Sequence, residues 1–138
     1  MVKKQQKFIL FYINDEKFAM PLLGDSQFIS CDKVAILPDV DNRITGLIYH
    51  GGNIITVLNT AKFLDIKYNL PDEHNCLLFS FSKDFYGLIV DQGGETIKVN
   101  QVFTDRNKKQ FKKYIKINKQ KVYILETDKI MEDLKIYD

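Results

Sequence analysis

The chain is 138 residues long and 45% hydrophobic, which fits a single domain, 1–138, with its own core. Its 20 basic and 18 acidic residues leave a formal charge of +2, which excludes a generally polyanionic partner while allowing local segregation of charge. Two cysteines, Cys31 and Cys76, lack CxxC spacing, and no apolar run approaches the ~18–20 residues of a membrane span, so a reduced cytoplasmic protein without membrane insertion is expected.

The N-terminus starts basic, but its apolar run Phe8 to Ile13 is short and is followed by Asn14-Asp15-Glu16-Lys17. That is too little for a signal peptide, and no small-residue cleavage site follows. The same run suits a strand buried on both faces. Lys17 to Leu23 reads as its returning partner, with Pro21 confining the end of that strand to an edge or bulge. Gln27 to Ser30 is a short extended piece. Asp32 to Leu37 alternates moderately, through Val34 and Ile36, and stops at Pro38.

Ile44 to Ile66 carries the strongest local signal. Two apolar, β-branched runs, Ile44 to Ile48 and Ile54 to Leu58, flank Gly51-Gly52-Asn53, which predicts a hairpin. Beyond it, Ala61, Phe63 and Leu64 suit one or two helical turns capped by Asn59 or Thr60. Lys67 to Asn75 is polar and reads as a loop. Cys76 to Phe81 and Phe85 to Asp91 form a second apolar hairpin. Gln92-Gly93-Gly94-Glu95 is expected to turn into a strand Thr96 to Val99. Thr104 to Lys113 is a charged loop. Tyr114 to Ile117 and Lys121 to Leu125 form a third hairpin, and Thr127 to Ile136 a closing helix with Ile130, Met131 and Leu134 inward. The sum is eight to ten short strands and two short helices, a mainly β chain with the spacing of a barrel or sandwich.

No catalytic constellation emerges. His50 and His74 have no ligand partners at metal spacing, and Cys31 carries no nucleophile signature, so a plain thiol is the simpler reading. Gly51-Gly52 and Gly93-Gly94 do not open helices as a phosphate loop would and read as tight-turn glycines. Arg106 to Lys121 holds eight basic and no acidic residues beside Phe111, Tyr114 and Tyr123. Such a hairpin could contact single-stranded nucleic acid, but lysines that discourage edge pairing explain it as well, and no nucleic-acid partner is expected. Tyr49 and His50 at a hairpin tip have interface-like composition, with Tyr49 free to point either outward or into the core.

Several of these segments together resemble the CheW-like domain, an adaptor of bacterial chemotaxis signalling. The opening strand, turn and return (Phe8 to Phe18), the stretch from Pro38 through Gly46 and LIYHGGNIITVLNT to Thr60, Gly87-Leu-Ile-Val-Asp91, and the closing KVYILETDKIMEDL occur in the family's order. The resemblance implies two five-stranded, barrel-like (SH3-like) subdomains around a shared core, with one or two short helices. It implies a non-enzymatic adaptor without cofactor. The implied partners are the regulatory domain of a CheA-type histidine kinase and the cytoplasmic tip of a chemoreceptor. Implied protein-binding residues are Asp25, Phe28, Tyr49, His50, Gly51, Gly52, Asn59 and Thr96. The chain departs from the family at Gly51, where the family turn carries arginine, at Asn59, where it carries aspartate, and near Asp25, where an apolar residue is usual. Losing the arginine and the aspartate together suggests the loss of one polar arrangement. A divergent scaffold in a non-chemotactic kinase pathway is the related alternative.

Overall fold

The structure, a computed structural model, describes residues 5–22, 26–31, 34–38, 40–70, 74–106 and 113–134. In chain order the elements are β1 (Gln6–Ile13), β2 (Glu16–Pro21), β3 (Gln27–Cys31), β4 (Ala35–Ile36), β5 (Ile44–His50), β6 (Asn53–Leu58), α1 (Thr60–Leu64), β7 (His74–Phe81), β8 (Asp84–Val90), β9 (Gln92–Val99), β10 (Phe103–Thr104), β11 (Lys113–Ile117), β12 (Gln120–Ile124) and α2 (Thr127–Leu134). They divide into two compact units, Leu23–Gly93 and the combination of Met1–Leu22 with Gly94–Asp138.

Each unit holds one six-stranded sheet, ordered β4-β5-β6-β8-β7-β3 in the first and β10-β11-β12-β2-β1-β9 in the second. The two orders are the same pattern. A two-residue edge strand comes first, then a hairpin (β5–β6 or β11–β12). The second strand of that hairpin runs parallel to the second strand of another hairpin, β6 to β8 and β12 to β2. A short helix follows the first hairpin in both units, α1 after β6 and α2 after β12. Without the two-residue strands β4 and β10, each sheet has the five strands that the family resemblance implies.

Turn chemistry sets the registers. All four hairpins close through two residues with positive φ: Asn14-Asp15, Gly51-Gly52, Ser82-Lys83 and Asn118-Lys119. Two successive left-handed residues make the type I′ geometry that matches strand twist. Side-chain alternation then builds the cores. In the second unit, Phe8 and Leu10 join Ala19, Ile115, Val122 and Ile124 on one sheet face. Ile9, Phe11 and Ile13 lie on the other and are just as buried, so the unbroken apolar run of β1 reflects burial on both faces. In the first unit, Ile48, Ile55, Val57, Leu78 and Ile89 form a core with both cysteines.

The expected turn at Gln92 to Glu95 is absent. β9 runs through both glycines, and the chain passes from one unit to the other at Gly93-Gly94, with Gly94 at φ +109°. The segment does not fold back on β8 because its partner is β1 in the other sheet. Pro21 is the last residue of β2, where the ladder with β12 has already ended at Ala19. Ile136, the expected end of α2, lies outside the described residues.

Gly46 is the tightest point in the first unit. It follows a bulge in the β5–β6 ladder, and a Cβ there would sit 2.2 Å from the Ala35 carbonyl oxygen. Gly46→Ala should therefore cost about 1–3 kcal/mol or more, as overpacking against backbone does. Urea denaturation checks this: the midpoint should fall well below that of Gly51→Ala, which meets no neighbour and carries only its positive φ.

Candidate docking site

The β5–β6 tip presents an apolar pair to solvent. Tyr49 stands directly opposite Ile54 in the register, and the two are 76% and 64% exposed. Their face continues inward through Leu47 and Thr56 to Tyr86 on β8, all half-buried. The alternate residues Ile48, Ile55 and Val57 fill the core on the opposite face. Strand period alone thus decides between the two orientations open to Tyr49, and it points outward. His50 faces Asn53 at the strand end, and the Asn53 Nδ2 donates to the Gly51 carbonyl at 3.3 Å. The Gly51-Gly52 turn leaves the tip bare of side chains.

Ile54 and the 80% exposed Ile36 on edge strand β4 are further apolar surface that the sequence reading does not single out. The signal for Ile54 was Thr56, a polar residue two positions on in an otherwise apolar run, which marks the face that leaves the core.

The other expected binding residues do not converge on this tip. Phe28 is 39% exposed on β3, which is separated from β6 by β7 and β8, or about 14 Å at ordinary strand spacing. Asn59 lies at the opposite end of β6 from Gly51, about 20 Å away along the strand. The two departures from the family therefore cannot be one polar arrangement. Thr96 belongs to the other unit, where it lines an open cavity of about 280 Å³ with Lys7, Leu22, Ile97 and Lys98. Asp25 lies outside the described residues.

Asn59 does occupy the N-cap position of α1, but its side chain makes no capping bond. Its Oδ1, together with the Thr60 and Thr45 hydroxyls, is buried without a hydrogen-bond partner. The base of the hairpin is held instead by backbone, with Asn59 N–H donating to the Arg43 carbonyl at 2.8 Å. Arg43 is fixed in turn. Its Nε and Nη2 donate to the two carboxylate oxygens of Asp41 at 2.9 and 2.5 Å, and its guanidinium lies 5.4 Å from the Phe63 ring centroid. The hydrogen bonds from Arg43 outweigh burial and hold the Asp41 carboxyl down at about 2.

The basic hairpin is internally engaged. Lys113 pairs with Glu126 at 3.3 Å and Lys121 with Asp105 at 3.7 Å. The Lys116 and Lys121 ammonium groups sit 4.7 and 4.8 Å from the Phe103 and Tyr114 ring centroids. Phe103 also stacks on Tyr114 at 5.3 Å, and the Tyr123 hydroxyl donates to Asp105 at 2.9 Å. Burial pushes Glu126 up, but its bonds from Lys129 and Lys113 prevail and leave it below the ordinary glutamate value. Lys108, Lys109, Phe111 and Lys112 lie outside the described residues. Among those described, no three metal-ligating side chains gather, and no helix is long and apolar enough to cross a membrane.

The described chain thus combines two β units, each followed by a short helix, with an exposed apolar hairpin tip. The sequence model of the CheW-like domain matches residues 7–135, and the chain belongs to that family. It is 25% identical over 101 residues to the chemotaxis protein CheW of Bacillus subtilis, a match that covers 72% of this chain and 65%, slightly under two thirds, of that protein. The crystal structure of the scaffolding protein TtCheW from Thermoanaerobacter tengcongensis superposes with a TM-score of 0.74 at 18% identity, covering 88% of each chain. The fold is therefore the CheW-like one, with two SH3-like subdomains.

Asp41 supplies a pH test. Its folded value of about 2 lies below the unfolded value of 3.8, so its stabilisation is complete above the unfolded value and disappears as pH falls through the folded one. Thermal melts should show the wild type losing stability between about pH 4 and pH 2 more steeply than Asp41→Asn.

Proposed function

We propose that the protein is a non-enzymatic, cytoplasmic adaptor of chemotaxis-type two-component signalling. It docks a CheA-type histidine kinase through that kinase's regulatory domain and couples it to chemoreceptor tips. The family membership supports the adaptor class, and the exposed Tyr49–Ile54 row is the observation that carries the docking site. An aromatic and a branched aliphatic side chain, side by side on a rigid ladder, offer area for burial at little entropic cost. Bare glycines at the tip let a partner approach the backbone. His50 at the strand end and the exposed Phe28, both in this unit, are assigned to the wider contact surface.

Calorimetric titration with the regulatory domain of the cognate kinase tests the reading. Binding of the wild type is expected, and Tyr49→Ala with Ile54→Ser should weaken it about 10–100-fold, as loss of a buried anchor does. Wild-type affinity in the double variant would remove the tip from the interface. Absence of binding by the wild type would remove the kinase.

Nucleic acid is not a partner in this reading, because the described lysines already cover the aromatic faces that base stacking would use. Fluorescence anisotropy with labelled single strands should stay flat at low and high salt. Salt-sensitive binding abolished by glutamates at Lys108, Lys109, Lys112 and Lys113 would reverse that conclusion.

A further inference from the structure

Neither cysteine has a part in docking, yet their placement is particular. β3 pairs with β7 so that Ile29 faces Cys76 and Cys31 faces His74. Directly opposed residues share a sheet face and so do residues two apart, so Cys31, Cys76 and His74 all lie on one face of this strand pair. The cysteines are diagonal neighbours, both buried, in one apolar cluster. Neither is in a disulfide. A hydrogen bond between them is the main reason the Cys76 thiol is held above its ordinary range, with burial adding to it. The Nδ1 of His74, across from Cys31, is buried without a hydrogen-bond partner.

We propose that Cys31 and Cys76 form a reversible oxidation site that closes into a β3–β7 disulfide, with His74 as the base that activates Cys31. The oxidant is a peroxide. His74 takes the Cys31 proton, and the thiolate attacks one peroxide oxygen, giving a sulfenic acid and, once that oxygen's partner is protonated, one water. The Cys76 sulfur then attacks the Cys31 sulfur, the S–S bond forms, and the hydroxyl leaves with the Cys76 proton as a second water. Two thiols lose two electrons to one peroxide, which becomes two waters.

The fold suits reversibility. Diagonal residues on neighbouring strands sit about 7–8 Å apart, just past the roughly 4.4–6.8 Å at Cα that a disulfide spans. Closure must therefore draw β3 inward. Among the described residues β3 is the edge strand of its sheet, paired only with β7, so it can move. A stretched disulfide is the more easily reduced. Because Phe28 sits on β3, oxidation would also reposition one of the residues assigned to the contact surface.

The test uses the full chain under native conditions with hydrogen peroxide. After the remaining thiols are alkylated, peptide mapping should find Cys31 and Cys76 in one cross-linked species, lighter by two hydrogens and restored by dithiothreitol. His74→Leu should slow its formation at least several-fold. Cys76→Ser should leave a sulfenic acid on Cys31, trapped by dimedone. The wild-type map stands without the variants should either one fail to fold. Separate sulfinic acids, a disulfide between two chains, or reaction only in denaturant would each overturn the proposal.

Discussion

At the centre of each sheet, two aromatic rings stack across a hairpin. Phe11 lies on Phe18 with centroids 5.6 Å apart and planes at 23°, and Phe79 lies on Tyr86 at 5.6 Å and 25°. Each pair joins opposed residues of a hairpin, β1–β2 or β7–β8, whose second strand also carries the parallel partner of its sheet. The stack thus fixes the register of the strand that two neighbours read. A slip of β1 or β7 by one residue would turn its ring to the other face and leave Leu10 or Leu78 in its place. Offset aromatic pairs add about 0.5–1.5 kcal/mol beyond burial, but their larger effect here is to specify one alignment.

The same row extends outward in the second unit through Tyr123 and Tyr114 to Phe103, each opposite the next. In the first unit the corresponding residues are Thr56, Leu47 and Ala35. The two units share a topology and differ in how their hairpin tips are dressed. One step nearer the turn, Tyr49 and Ile54 in one unit correspond to Lys116 and Lys121 in the other. Opposed lysines repel, and here the aromatic rings beneath them and Asp105 offset that repulsion. The apolar pair is left exposed among the described residues. Of two equivalent tips, one carries charges engaged within the chain and the other carries exposed apolar side chains.

Much of this was legible in the sequence. Gly-Gly-Asn between β-branched runs gave the central hairpin, and runs apolar at every position gave strands buried on both faces. Three features were not legible. Gly93-Gly94 reads as a turn because glycine permits one, but which sheet β9 joins is decided by a pairing with β1, some eighty residues earlier in the chain. The outward face of Tyr49 depends on register, which local composition cannot set. The two-residue strands β4 and β10 exist only because a longer neighbour templates them. Even the duplication was faint: Leu58-Asn-Thr-Ala-Lys-Phe-Leu64 and Leu125-Glu-Thr-Asp-Lys-Ile-Met131 align residue for residue, yet the topology is what makes the alignment meaningful.

That alignment also explains the base of the β5–β6 hairpin. Asn59 corresponds to Glu126, and Thr60 to Thr127, the two threonines being buried at the same point of each unit. Glu126 accepts from Lys113 and Lys129 and ties its helix to β11. Asn59 keeps an uncharged amide whose oxygen has no partner, a deficit of about 1–3 kcal/mol for a buried acceptor. The first unit therefore carries the weaker helix junction directly below its exposed tip. Six residues of β6 stand between the two, and Ile55, Val57 and Leu58 within them are fully packed. A rigid, well-packed strand isolates the tip from the junction. Changes at Gly51 and at Asn59 act on separate ends of one element, the first on the shape of the exposed tip and the second on how firmly the hairpin is held.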